Sequence, residues 1–273
     1  MTENQNKVLV RGGGDLATAV IQKLFKSGFK VVVAELENPK MVRRTVSFSS
    51  AVYESTYSVE GIEAIYCKHV DEIDALLNAN KIPVLTCTEA VIMESFKPDI
   101  FVDATLSKKK VDYNLDKAEI VIGLGPEINA GQDAHVVIET ARGHDLGRLI
   151  YVGYAKENTH CPGDIAGYTK ERVLRAPCDG VIRSLKKIGD HIEKNETIAY
   201  VNDMPVISEV EGVLRGLIHD NVEITKGMKV GDVDPRGITE YCYTISEKGR
   251  NIAGGVLEAI LWRRDVFSRF DQI

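Results

Sequence analysis

Three consecutive glycines, Gly12-Gly13-Gly14, run into Asp15-Leu16-Ala17 and spell G-x-G-x-x-A near the start of the chain. Glycines at this spacing bring backbone N–H groups close to an anion. Gly12 permits the tight turn, Gly14 lets the amides approach a phosphate, and Ala17 lets a helix pack close to the preceding strand. An acid, Glu35, follows about 20 residues on, where a carboxylate can accept hydrogen bonds from ribose hydroxyls. The same pattern also occurs in tight turns that hold no ligand, so its setting matters. Lys7–Arg11 reads as a strand. Leu16, Val20, Ile21, Leu24 and Phe25 recur at helical spacing up to Ser27-Gly28, and Lys30 to Ala34 is a second apolar strand.

The elements that must hold this loop continue the same rhythm. Strands are expected at Ile62–Cys67, Ile82–Thr86, Ile100–Ala104 and Glu119–Leu124, and helices at Asp71–Ala79 and Glu89–Phe96. Strands alternating with helices imply a mostly parallel sheet covered on both faces. Ligands of such sheets lie beyond the C-terminal strand ends. That edge carries Arg11, Glu35, Thr86-Cys87-Thr88, Asp103 and Gly123-Leu124-Gly125-Pro126. Arg43, Arg44 and the run Lys108-Lys109-Lys110 are basic groups able to meet phosphate there, or ordinary solvated loops.

Between His135 and Arg148 stand His135, Glu139, Arg142, His144, Asp145 and Arg148. Alternation places His135, Val137 and Glu139 on one strand face. Glu139, Arg142, His144 and Arg148 are expected to face the glycine loop and complete its anion site, with His144 as a proton-transfer group. The bland alternative is a polar outer face and a salt-bridged turn. Cys161 follows His160, whose imidazolium would lower the thiol pKa and make a nucleophile if the two meet in space; the alternative, for Cys161 as for Cys87, is a free cysteine with no role. His144, His160 and Cys161 have no zinc-ligand spacing, so no metal is expected. Cys67, Cys178 and Cys242 read as packing residues.

Further along, the sequence repeats itself. Gly180–Val201 and Gly212–Val233 align without a gap at an offset of 32, with seven of 22 positions identical. Short strands punctuated by glycine and Asp/Asn turns suit a quasi-symmetric flattened barrel in which each copy supplies half of a core. Ala176-Pro177-Cys178-Asp179-Gly180-Val181 and Ile188–Glu196 resemble the opening and the second segment of biotinyl and lipoyl carrier domains. Those carriers display a modified lysine between their halves. Here the turn is Val201-Asn202-Asp203-Met204-Pro205, and no lysine occurs between Lys194 and Lys226. Covalent biotin or lipoate is therefore not expected, and the module reads as a scaffold or docking element. Asn251–Leu261 reads as a helix whose Gly254 and Gly255 point to close backbone packing.

The chain has 273 residues and a formal net charge of -6, with no general basic field for nucleic acid. No apolar run approaches a membrane span, and the N-terminus has no signal-peptide pattern. Five scattered cysteines suit a reducing compartment. These features predict a cytoplasmic protein that binds neither nucleic acid nor membrane. They leave a homo-oligomer open.

Taken together, Arg11–Thr18, Gly123–Pro126, Val137–Arg148, Glu171–Pro177 and Gly254–Ala259 resemble the YqeB-type accessory proteins of selenium-dependent molybdenum hydroxylases. The glycine motif is also similar to the Rossmann part of xanthine dehydrogenase accessory proteins. The resemblance implies a part in maturing a molybdenum enzyme, with the hydroxylase apo-enzyme and other cofactor-maturation proteins as partners. The expected fold is α/β, with a Rossmann-like domain over residues 1–155, a barrel-sandwich domain over 156–245, and a helix over 246–273 packing back on the first domain. The expected cofactor is NAD(P) or molybdopterin cytosine dinucleotide, held by Arg11, Gly12, Gly13, Gly14, Asp15, Glu35, Arg43, Arg44, Asp103, Glu139, Arg142 and Arg148, with His144 and Cys161 as catalytic candidates. An NAD(P)-dependent oxidoreductase and a non-catalytic nucleotide sensor remain the alternatives.

Overall fold

A computed structural model describes residues 6–107, 114–159 and 161–270, with side chains up to Arg263. The chain is a mixed α/β protein with one nine-stranded sheet and two four-stranded antiparallel sheets. Strand β1 (Lys7–Arg11) passes through the three glycines into helix α1 (Asp15–Lys26), and β2 (Lys30–Ala34) returns parallel to β1. Val8, Val10, Val31 and Val33 pack in the core on the α1 side, whereas Leu9 and Val32 pack in the core on the other face. Burial on both faces is why these strands are continuous apolar runs.

Helix α2 (Ala51–Glu54) leads into a hairpin of β3 (Thr56–Val59) and β4 (Ile62–Tyr66), turned at Glu60-Gly61, both at positive φ. Strand β3 was not expected, because Thr56 and Ser58 are exposed and make it look like a loop. There follow α3 (Ile73–Asn78), β5 (Ile82–Leu85), α4 (Glu89–Phe96), β6 (Ile100–Asp103), β7 (Ile120–Leu124), β8 (Val136–Ile138) and β9 (Leu149–Ile150). The order is β3-β4-β5-β2-β1-β6-β7-β8-β9, parallel from β4 to β8 and antiparallel at both edges. The chain runs outward from β1 to β2 on one side, then crosses from β5 to β6 on the other side of β1, so the strand order reverses between β1 and β6. The glycine loop therefore lies at the crevice where such sheets hold ligands.

Strand β8 corrects one expectation. It has no polar outer face: Val136 and Ile138 pack on the α1 side and Val137 on the other. His135 braces its start, with Nδ1 accepting from the Val121 N–H at 3.0 Å.

The repeat builds the two smaller sheets. Their strands are β10 (Val173–Arg175), β11 (Gly180–Ser184), β12 (His191–Ile192), β13 (Thr197–Val201), β14 (Met204–Ile207), β15 (Gly212–Leu217), β16 (Glu223–Ile224) and β17 (Lys229–Asp234). The offset of 32 carries β10–β13 onto β14–β17. One sheet runs β10-β17-β15-β12 and the other β14-β13-β11-β16. Each sheet thus takes two strands from each copy, so neither copy completes a sheet alone. At the turn where carriers present a lysine, Asn202 sits at φ 52° and folds back, its Oδ1 accepting from the Val181 N–H at 3.2 Å.

Helix α5 (Glu247–Phe270) begins before Asn251 and lies beside α1. Ile252, Ala253, Val256, Ala259 and Ile260 join the core on that face. A Cβ at Gly249 would fall 2.9 Å from the Ala19 Cβ, and one at Gly255 2.3 Å from the Gly147 carbonyl oxygen. Gly254, expected to pack closely, faces open space instead. Among the described residues no helix is long and apolar enough to cross a membrane.

Candidate functional site

The glycine loop is held from three directions. The Gly12 N–H donates to the Ala34 carbonyl at 2.8 Å, with Gly12 at φ 90°. The Gly13 N–H donates to Glu35 Oε1 at 3.0 Å, and Ser49 Oγ donates to the same oxygen. Ser49 also gives its N–H to the Gly13 carbonyl at 3.0 Å. A Cβ on Gly13 would fall 2.9 Å from Ser49 Oγ, so the middle glycine is required by its neighbour and not by a turn. The 3₁₀ turns at Arg44–Val46 and Phe48–Ser50, which place Ser49, had no signature in the sequence.

Gly14 differs. It precedes α1 at φ -64° and ψ -177°, with no side-chain cap, and an added Cβ would meet nothing within 4 Å. The positive end of the α1 dipole thus opens onto free space at the crevice, where an anion is favoured. Glu35 stands beside it, half-buried, anchored by Gly13, Ser49 and the Leu36 N–H at 2.7 Å. A carboxylate has about four acceptor positions, so Glu35 keeps capacity for a hydroxyl.

Other residues expected at this site lie elsewhere. Arg11 points to the face opposite α1. Its Nη1 meets Asp103 Oδ2 at 2.9 Å, its Nε meets Glu89, and Lys117 Nζ reaches Glu89 Oε1 at 2.6 Å. Burial would raise the Glu89 carboxyl, but hydrogen bonds from Arg11 and Lys117 outweigh it and hold it below its ordinary range. Asp103 Oδ1 also accepts from Thr105 Oγ1 at 2.7 Å. Arg11 and Asp103 are therefore a closed charge network that fastens β1, β6 and α4, and they offer no free charge to a ligand. Glu89 and Lys117 are the members that sequence reading missed; only the strand register reveals them.

Arg43 is likewise engaged by the protein itself, at the edge of the loop. Its Nη2 donates to the carbonyls of Tyr241 at 2.9 Å and Thr244 at 3.2 Å, and its Nη1 lies 3.5 Å from Asp15. It ties the start of α1 to the segment before α5. Arg44 lines a separate cavity of about 390 Å³ with Tyr57 and Lys186.

The quartet Glu139, Arg142, His144 and Arg148 is divided among three surroundings. Glu139 is buried and knots its own loop, with Oε1 accepting from Ala141 N–H at 2.7 Å and Oε2 from Lys156 N–H at 2.9 Å. His144 and Arg148 line a groove of about 780 Å³ along α5, where Arg148 meets Asp145 at 3.3 Å. Arg142 borders a third cavity, near Lys248, which also feels Asp15 and Glu139. Cys161 is exposed and gives its N–H to Thr159 Oγ1 at 3.3 Å. His160 and Lys108–Lys110 lie outside the described residues. Cys67 and Cys242 are buried, and burial pushes the Cys67 thiol up to about 12.

No family model matches the chain. It is 41% identical over 254 residues to the uncharacterized protein YqeB of Escherichia coli (strain K12), a match covering 93% of this chain and 47% of that protein. Over this span the chain is YqeB-like. It spans about half the length of the curated relative it matches. Among solved structures, an aspartoacylase family protein from Mesorhizobium loti is 11% identical with a TM-score of 0.27, over 84% of this chain and 85% of that one. The ectoine utilization protein EutE (DoeB) from Ruegeria pomeroyi is 9% identical with a TM-score of 0.24, over 83% and 56%. Likenesses this weak carry no argument about the fold or activity of the YqeB-like chain.

Proposed function

We propose that the YqeB-like chain is an accessory factor in the maturation of selenium-dependent molybdenum hydroxylases, and that it holds a dinucleotide or molybdopterin-type cofactor at the glycine loop. In this reading the large sheet is a Rossmann-like nucleotide-binding domain and the repeat is a barrel-sandwich docking module without an attachment lysine. The observation that supports it best is the open N-terminus of α1 at Gly14, beside Glu35 and at the crevice of the sheet. A phosphate would rest on the first amides of α1. The Glu35 carboxylate would accept from a ribose hydroxyl, and it would repel a 2′-phosphate, favouring NAD or a cytosine dinucleotide over NADP. The maturation role and its partners, the hydroxylase apo-enzyme and other maturation proteins, rest on the sequence resemblance.

Two results test this reading. Mass spectrometry of the denatured protein is expected to release a nucleotide-containing molecule, and a pull-down with tagged protein is expected to retain a molybdenum hydroxylase. A bound nicotinamide dinucleotide with catalytic turnover and no hydroxylase would make the protein an oxidoreductase instead. A bound nucleotide with neither turnover nor hydroxylase would make it a sensor.

A further inference from the structure

A cavity of about 430 Å³ lies between the loop around Asp164, the turn after β17 and the start of α5. Arg142, Arg215 and Arg236 line it, together with Asp164, Ser246 and Glu247. The grip on Arg215 is loose. Arg215 is more than nine-tenths buried, yet its nearest carboxylate oxygen, on Asp234, is 3.6 Å away, and its other contact is the Tyr241 carbonyl at 3.4 Å. Asp234 is already gripped by Arg236, with contacts of 2.9 and 2.6 Å. One carboxylate thus serves two arginines. Burial first, and then the charge of Arg43, push Arg215 down to about 10.

The other carboxylates nearby are Glu247, whose charge reaches Arg236, and those of Asp232, Asp15 and Asp164. Asp232 is taken by Arg172 at 2.5 Å and Lys229 at 3.3 Å, and Asp15 faces Arg43. Asp164 accepts from the Gly167 N–H at 3.3 Å. Arg142 is exposed and makes no ion pair or hydrogen bond among the described residues. Close by, Lys248 is pushed down by burial and by the charge of Arg142, against the pull of Asp15 and Glu139. Ser246 Oγ accepts from the Gly249 N–H at 3.2 Å, and Ser246 and the first-turn acid Glu247 put the start of α5 at the cavity wall.

We propose that this cavity binds the phosphate group of a small phosphorylated ligand. Arg215 and Arg142 supply the forks, Lys248 adds charge, and Arg236 is a positioning residue held by Asp234. Arginine forks match phosphate oxygens in pairs, and an anion here would give Arg215 and Arg142 closer partners than the described residues offer. The cavity lies on the side of Arg43 that faces Tyr241 and Thr244, while Asp15 at the start of α1 lies on the other, and the proposal does not depend on the function proposed for the glycine loop.

The test is calorimetric titration of the full chain with inorganic phosphate, and with succinate as a carboxylate control. Wild-type protein is expected to bind phosphate saturably and succinate more weakly. Arg142→Ala and Lys248→Met are expected to weaken phosphate binding about tenfold, and Arg215→Met by about a hundredfold. The phosphate binding that Arg215→Met weakens is expected to persist in Gly14→Val. Thermal melts show which variants are folded; if Arg215→Met is not, the two milder variants decide. Four results would overturn the assignment: no saturable binding at concentrations on the order of ten millimolar, unchanged binding in both Arg142→Ala and Lys248→Met, tighter binding of succinate than of phosphate, or loss of binding in Gly14→Val. The last would place the anion on the glycine loop.

Discussion

The two copies of the repeat have one backbone plan and two environments. Val181 is 40% exposed and its counterpart Val213 1%; Leu185 is 53% exposed and Leu217 fully buried. Arg183 is exposed, whereas Arg215 is buried at the cavity. The cause is position. Strand β15 lies beneath the segment that follows β2, and the backbone there comes so close that a Cβ on Gly216 would fall 2.8 Å from Val42 Cγ1. Strand β11 has no such cover, and its equivalent residue is Ser184, hydrogen-bonded to Asp220 Oδ1. Repetition fixes the strands; contact with the rest of the chain decides which copy carries a site.

Paired substitutions sharpen this contrast. The largest expected difference is between Leu217→Ala and Leu185→Ala. The first opens a cavity in a closed core and should cost about 2–5 kcal/mol, while the second should stay within about 0.5 kcal/mol. Denaturant unfolding measures both, and equal losses would contradict the assigned environments. Next is Gly216→Ser, which writes the first copy's residue into the second. The hydroxymethyl group must displace Val42, at a cost of about 1–3 kcal/mol. The reverse exchange, Ser184→Gly, removes one hydrogen bond and should cost about 1 kcal/mol.

The smallest effect is a pH dependence. Asp234 stands where the first copy has Asn202, which cannot titrate. Burial would raise the Asp234 carboxyl, but hydrogen bonds from the Arg236 side chain and backbone, with the charges of Arg236 and Arg215, hold it below its ordinary value. The folded pKa is thus below the unfolded one. Its stabilisation is complete above the unfolded value, about 4, and is lost as pH falls through the lower folded value. Arg236→Ala removes the side-chain bonds, so this loss should move to higher pH, at a cost of about 1 kcal/mol or less near neutrality. Asn202→Ala should leave the acid limb unchanged. Stability measured across the acid range checks both, and an acid limb unmoved by Arg236→Ala would dissociate Asp234 from it.

The same contrast explains what was legible in the sequence. Strand β1, the glycines, α1, β2 and Glu35 could be read because two-sided burial writes long apolar runs and a helix writes a stripe. Helix α4 falls at the expected Glu89–Phe96 for the same reason. The repeat betrayed itself by identity at a fixed offset, but identity hid its asymmetry: Arg183 and Arg215 are the same letter in the same frame. The contact of Ser49 with Gly13 comes from 3₁₀ turns that carry no periodicity. The pairing of Arg11 with Asp103, Glu89 and Lys117 depends on register across four elements. The expected phosphate ligands Arg43 and Arg44 were judged by charge alone, and their direction is set by backbone that the sequence does not display.

The central claim is that the open N-terminus of α1 binds a nucleotide. Gly14→Val tests it cleanly, because its Cβ enters empty space at an ordinary backbone conformation and costs about 1 kcal/mol in helix capping. The measurement is calorimetric titration of wild type and Gly14→Val with NAD and with a cytosine dinucleotide. The account predicts saturable binding of at least one by the wild type and a loss of about a hundredfold or more in the variant, with the fold retained. Equal binding by both proteins, or no binding of either dinucleotide by the wild type, would contradict it.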